Sequence, residues 1–548
     1  MPMIKKSLYI TLVFLIITVI SVAWHLYFAK QKPALAAGNV YYVDPDFAGA
    51  SDGSWSKPWT SLTNPAWSTI NTALSTGDVT VYFSAREAAS DVAEDYGDHL
   101  EVFRTDKSTY RLTLDGMSKY NTDDAGPNWQ DYGGGHKLKL IGKYSMGLGW
   151  GSGSNKQSNI TMRGFEVTGD SARVLFGGDN VVVEHIYSHD TTNLGPAFHM
   201  LYATNPEASC TETIGRYSNV IIRNNLIDST YGEALYIGGT NNCPSYGNSH
   251  GNIFIENNTI RNAGINGAQG DGIDLKDGLT NVTVRGNVIS GSQNIGITSA
   301  GVYSGTQNLV IEKNKVFNGR NRGIQVAGNW GTPNGVIVRN NIVYSNSNIG
   351  ISFTGSQSNI KVYSNTAYNN AGQGLGVGNV NGLISNNNLV FDNNSNGNQM
   401  TIWSSTNITS DYNLWSPISG YSSEGLNSIN ESDPSILAVS PSSGDFYLKS
   451  GSPAIDKGIS IGSFSDDYAG ISRPQGSAWD IGAYEYVEAS PPPPTLKGDF
   501  NSDSKVNDLD FTVFKNAFKS IFNSLFDLNS DNAIDVKDLG VLMSGWRP

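Results

Sequence analysis

Apolar and polar positions alternate along this chain in short bursts, and the bursts recur. From Asn219 the chain reads NVIIRNNLIDSTYGEALYIGG, from Asn281 NVTVRGNVISGSQNIGITSAG, and from Asn308 NLVIEKNKVFNGRNRGIQVAGN. Looser copies begin at Asn159, Asn180, Asn252, Gly335, Asn359 and Gly382, and between Asn219 and Asn359 the copies follow one another every 24–33 residues. Each holds an alternating segment such as VIIR, an Asn-Asn turn, a second short apolar segment, and a polar turn. A third segment (ALYI, GIDL, GIQV or GISF) closes the copy at a glycine or small residue. Three short strands per copy of this length predict an all-β solenoid, a parallel β-helix whose rungs stack about 4.8 Å apart. In such a stack, equivalent positions of successive copies become spatial neighbours.

The seventh residue of each copy is Asn225, Asn258, Asn287, Asn314, Asn341, Asn365 and Asn388. An amide carries both donors and an acceptor, so this column is expected to run inside the coil as a structural ladder. Residues 38–488 form the predicted solenoid. An N-terminal cap opens on GNVYYVDPDF, and a C-terminal cap from about 411 holds SPAIDKG and DIGAYEY. A proline-rich linker, 489–497, leads to a second region at 498–548. Residues 1–37 carry Lys5 and Lys6 before an apolar run from Leu8 to Trp24, then Ala34-Leu35-Ala36. That pattern predicts either a signal peptide or an uncleaved membrane anchor. Either way the remainder is expected to be secreted or on the cell surface.

Only 16% of residues are charged and 61 are glycine, which suits turn-rich β structure. The formal net charge of −13 argues against a nucleic-acid partner and leaves room for a polyanion bridged by a cation. Cys210 and Cys243 are the only cysteines; in an exported chain a disulfide between neighbouring coils is expected.

Aligning the third strands on their apolar residue gives outward columns in which most entries are small or neutral. The residue after the apolar position reads Leu175, His199, Tyr236, Asp274, Thr298, Gln325, Ser352 and Gly376. Two positions further it reads Gly177, Leu201, Gly238, Lys276, Ala300, Ala327, Thr354 and Gly378; two before the apolar residue stand Glu233, Asp271, Ile295 and Arg322. Rung spacing sets Glu233 beside Asp271, and Tyr236 between His199 and Asp274. Three carboxylates this close repel unless protonated or bound to a metal, and calcium favours such oxygen clusters. Glu233, Asp271 and Asp274 are therefore candidate calcium ligands. Lys276, Tyr236 and His199 are candidate proton-transfer groups, and Arg322 with Gln325, two copies on, are candidate substrate-binding residues.

The tail carries a different repeat. Asp499, Asn501, Asp503, Asn507 and Asp510 occupy positions 1, 3, 5, 9 and 12 of one loop, and Asp527, Asn529, Asp531, Asp535 and Asp538 repeat them. With the position-7 carbonyls of Lys505 and Ala533, this spacing predicts two calcium loops, each leading into a helix. The twelfth position is Asp, not the bidentate Glu of an EF-hand.

These residues carry two resemblances. The tail resembles a dockerin, a small α-helical calcium-binding module, which implies two Ca2+ ions and a cohesin-like scaffold partner. Its positions 10 and 11 are Asp508-Leu509 and Val536-Lys537, not the common Ser/Thr pair. The periodic region resembles right-handed parallel β-helix proteins that act on polysaccharides. The series GEALYIGG, GDGIDLKDG, GITSAG and RGIQVAGN is distantly similar to the alginate lyase and chondroitinase B family. By that resemblance Lys276 matches a catalytic lysine, Glu233 and Asp271 fall near calcium-binding acids, and the family's arginine has no counterpart. Three readings follow: a calcium-assisted lyase cleaving a uronate-containing glycan by β-elimination, a glycoside hydrolase on the same fold, or a non-catalytic glycan-binding surface protein.

Overall fold

The computed structural model describes residues 39–83, 109–116, 139–141, 146–147, 158–200, 217–238, 250–300 and 306–487. Short breaks fall at 45–46, 171, 193–194, 266–268, 329–331 and 394–396, and Val102 and Phe500 are also described. The N-terminal apolar run, Cys210, Cys243 and the proline linker lie outside these residues, so the expectations placed on them do too. Among the described residues no helix is long and apolar enough to cross a membrane.

Three ladders of parallel strands run the length of the periodic region. The first passes through Ser218–Arg223, His250–Glu256, Leu279–Arg285, Gln307–Glu312 and Asn334–Arg339. The second passes through Leu226–Thr230, Thr259–Ala263, Val288–Ser290 and Lys315–Phe317. The third passes through Phe198–Met200, Leu235–Ile237, Ile273–Leu275, Ile297–Ser299 and Ile324–Gly328. At Ile351–Tyr363 and Leu375–Asn386 single long strands join the third ladder to the first. Chain order around each coil, with parallel pairing from coil to coil, is the expected β-helix.

The local reasons lie in the phrase. Its opening residue takes positive φ in copy after copy: Asn219 59°, Asn252 57°, Asn281 53°, Asn308 52° and Gly335 70°. Asn and Gly tolerate that left-handed backbone best, so they punctuate the corners. The alternating strand that follows sends Ile222, Ile255, Val284, Ile311 and Val338 into the core, where none is exposed. Burying aliphatic side chains of this size contributes about 1.5–3 kcal/mol each.

The predicted asparagine column lies buried inside the coil. Each side-chain amide donates to the Oδ1 of the next, from Asn225 to Asn258 (2.9 Å) and on to Asn388 and Asn413 (3.0 Å). The ladder ends on Glu424, which accepts from Asn413, Ser410 and Ser428. A second buried ladder, Asn346–Asn370–Asn393, ends on Gln399.

On the outer face of the first ladder the charges alternate: Asp115, Arg163, Glu184, Arg223, Glu256, Arg285, Glu312, Arg339. Neighbours pair at 2.6–2.7 Å, as in Arg223–Glu184, Arg285–Glu256 and Arg339–Glu312.

The segment expected as an end cap does something further. From Pro434 to Glu485 it lies against the flank of several coils. Lys313 pairs with Asp466 at 2.6 Å, Asn340 donates to the Asp466 carbonyl, and Asn387 exchanges hydrogen bonds with Ile459. Phe446 packs on Tyr344 and Tyr368. A fully buried ion pair, Arg473–Glu485 at 2.6 Å, braces this strap from within.

Candidate active site

The third ladder positions the site. Its register pairs His199 with Tyr236, Tyr236 with Asp274, Asp274 with Thr298, and Thr298 with Gln325, the column expected from the sequence. Glu233 and Asp271 sit at equivalent points of adjacent coils, where Ala197 N–H donates to the Glu233 carbonyl and Ala234 N–H to that of Asp271. Gly272 follows because the corner is tight: a Cβ there would lie 2.5 Å from the Gly296 carbonyl oxygen.

Glu233, Asp271 and Asp274 converge, each offering a carboxylate oxygen within 4.8 Å of the others. All three are buried, Asp274 completely. Asp274 faces away from the core, between the inward Ile273 and Leu275, and is nonetheless buried, with Lys276, Glu233 and Asp271 gathered against it. The sequence places these acids in outward columns of the third strands. The columns do stand in register, and the carboxylates within them are buried. Thr298 and Gln325 on the following rungs are buried as well.

Burial followed by Asp274 pushes the Asp271 carboxyl above its ordinary range; the Ile295 N–H, donating to Oδ1 at 2.8 Å, opposes this. Asp274 is raised mainly by burial, with Lys276 pulling against it. Lys276 Nζ lies 2.7 Å from Asp274 Oδ2 in an ion pair, its side chain 18% exposed. Asp274 Oδ1 has no hydrogen-bond partner among the described residues.

Tyr236 lies under the same amine, with Nζ 5.3 Å from its ring centre, and His199 meets its edge at 5.0 Å. Burial and then Asp274 raise the Tyr236 phenol, so it stays protonated. Burial, then Arg173, pushes His199 down to about 4, so it is neutral at neutral pH; its Nδ1 is buried without a partner among the described residues. At neutral pH both are therefore uncharged, the phenol holding its proton and the imidazole free to accept a hydrogen bond.

Arg322 and Gln325 lie two coils on from Asp271 and Asp274, and Arg322 Nη1 donates to Gln325 Oε1 at 2.8 Å. Arg322 has no acidic partner among the described residues, and burial lowers its affinity for its proton. Arg173, which acts on His199, escaped the sequence reading. It stands one place before the apolar residue, where later copies carry Gly or Ala, and that contrast was the available signal.

Residues 497–544 match the dockerin type I domain. The dockerin match takes in both acidic loops. Their residues, Asp499, Asn501, Asp503, Lys505, Asn507 and Asp510, then Asp527, Asn529, Asp531, Ala533, Asp535 and Asp538, lie outside the described residues. No curated protein matches the chain. Among solved structures it is similar to pectate lyase Pel9A, at 13% identity and TM-score 0.40, over 83% of this chain and 98% of that one. XylC in complex with xylose is similar at 12% and 0.48, over 82% and 98%. The A-module of Azotobacter vinelandii mannuronan C-5 epimerase AlgE4 is similar at 12% and 0.36, over 71% and 100%. The β-helix upstream of the dockerin segment is defined by its own strand pairings and its site by its own side chains.

Proposed function

We propose that this is an extracellular polysaccharide-acting enzyme that cleaves a uronate-containing glycan by β-elimination at the Glu233–Asp271–Asp274 cluster. The observation that carries this reading is the convergence of three buried carboxylates beside one amine and one protonated phenol. Buried acids so close are costly unless neutralised, and the unpartnered Asp274 Oδ1 leaves a donor for a cation. An all-carboxylate set suits a hard dication such as calcium, held by Glu233, Asp271 and Asp274. When bound, the ion would neutralise the sugar carboxylate and make the adjacent C5–H more acidic.

The remaining roles fall to the chain's own groups. Lys276 is the candidate base for the C5 proton. A base lysine must be uncharged, so its ion pair with Asp274 has to open first. Tyr236 is the candidate donor to the leaving oxygen, because its phenol keeps its proton. His199, neutral and buried, can orient a substrate hydroxyl through Nδ1 but has no proton to spare as an acid. Arg322, with no acidic partner among the described residues of a protein of net charge −13, suits the carboxylate of a second sugar unit, with Gln325 fixing its guanidinium. The dockerin segment supports attachment to a cohesin-bearing scaffold through two calcium-filled loops.

Depolymerisation of alginate, pectate and glycosaminoglycans, followed by the near-ultraviolet absorbance of unsaturated uronate, tests the reading. Activity should disappear with EDTA, return with calcium, and fall at least a hundredfold in Lys276→Ala. Turnover that survives both treatments would overturn it. A second reading, glycoside hydrolysis, is favoured by the raised Asp271 carboxyl, since a general acid must hold its proton. New reducing ends without the absorbance would select it.

A further inference from the structure

On the third ladder, the column that holds Lys276 continues beyond the copies that carry the chemistry. Ala300 follows Ser299, the partner of Leu275; Ala327 pairs with Thr354, Thr354 with Gly378, and Gly378 with Trp403. Between the amine and the indole every side chain is small. The two ends stand five rungs apart, about 24 Å at the usual rung spacing. Trp403 is 39% exposed, among the most exposed aromatic groups of the described coils. Its ring lies on Gly378, where any Cβ would overlap the indole. The sheet thus supports one side of a flat apolar ring and leaves the rest open. Midway, the Thr354 hydroxyl is buried with no hydrogen-bond partner among the described residues.

A tryptophan left open on a rigid floor forgoes the burial that its size normally rewards. A pyranose ring, apolar on its C–H faces and polar at its rim, fits the open indole, and the small side chains between leave room for the units that lead to it. We propose that Trp403 is a glycan-stacking platform at the far end of a recessed lane that begins at Lys276. The protein then grips a polymer along five rungs and engages a short oligosaccharide only near the acids. This inference rests on the glycan reading above.

The full chain carrying Lys276→Ala to stop turnover, with calcium present, serves as the parent and is run through native gels containing alginate, pectate or a glycosaminoglycan. Short oligomers are then titrated as competitors. Trp403→Ala should weaken retardation by the polymer about tenfold and leave binding of di- and trisaccharides unchanged, and Trp403→Phe should restore most of the loss. Thr354→Glu, which sets bulk and negative charge mid-lane, should reproduce the polymer defect with the indole in place. Circular dichroism checks that each variant is folded. Retardation untouched by Trp403→Ala, or lost equally for polymer and trisaccharide, overturns the platform and leaves the glycan reading standing. A parent retarded by none of the polymers overturns both.

Discussion

His189 sits between two carboxylates, with Nε2 2.9 Å from Glu166 and Nδ1 2.8 Å from Asp190, and Tyr187 stacks on its ring at 4.1 Å. Burial lowers its proton affinity, but the hydrogen bonds to Glu166 and Asp190 outweigh this and the net shift is upward. A histidine whose folded value exceeds its unfolded one adds stability that is complete below about pH 6.5 and is lost as pH rises through the folded value. His189→Gln should therefore lower the urea midpoint clearly at pH 5.5 and much less at pH 8.5. An equal loss at both would assign His189 a packing role only. At this scale the sequence told which residues stack, because a period-two strand fixes which side chains leave the core. It did not tell that Asp274 is buried, or that Tyr236 and His199 differ in protonation. Burial of an outward residue depends on which neighbours crowd against it from adjacent rungs, and that crowding has no repeat to read.

The coil repeats were legible as elements because corner and core make separate demands. Asn or Gly must take the left-handed corner, and β-branched residues fill the interior, so both signals recur in each copy. The alternation from Asp115 to Arg339 was present in the same phrase but unnoticed, since it shows only when coils are compared in pairs. With opposite charges on successive rungs, a strand slipped by one residue would turn its charge toward the core and away from both partners, so the column favours the observed register. Arg285→Glu would put three carboxylates in a row with Glu256 and Glu312. It should cost about 1–2 kcal/mol, less than a core change because Arg285 is half exposed. Thermal unfolding should recover part of that loss in about 0.5 M NaCl, where screening shortens the reach of the charges. A salt-independent loss would point to packing of the arginine stem.

For the β-helix as a whole, the strap from Pro434 to Glu485 matters most. Its motifs, SPAIDKG and DIGAYEY, marked an end segment in the sequence, but nothing periodic revealed that it returns along the flank. It is tied to residues as far back as Lys313 and Lys315 through Asp466 and the Gly444 carbonyl. Glu485 holds it together by accepting from Arg473 and from the backbone of Gln475 and Asp480. Glu485→Gln removes the carboxylate paired with the buried Arg473, leaving only the fields of Asp467 and Asp480, and should cost about 3 kcal/mol. Hydrogen exchange should then quicken together across residues 313–391; quickening confined to the strap would show that it does not brace the coils. A plain solenoid touches only its nearest neighbours and peels from either end, one layer at a time. Here a stretch of chain stitched down the side makes distant layers share one fate, like pages held by a spine, and gives the coils slow, all-or-none resistance to proteases that feed on loosened ends.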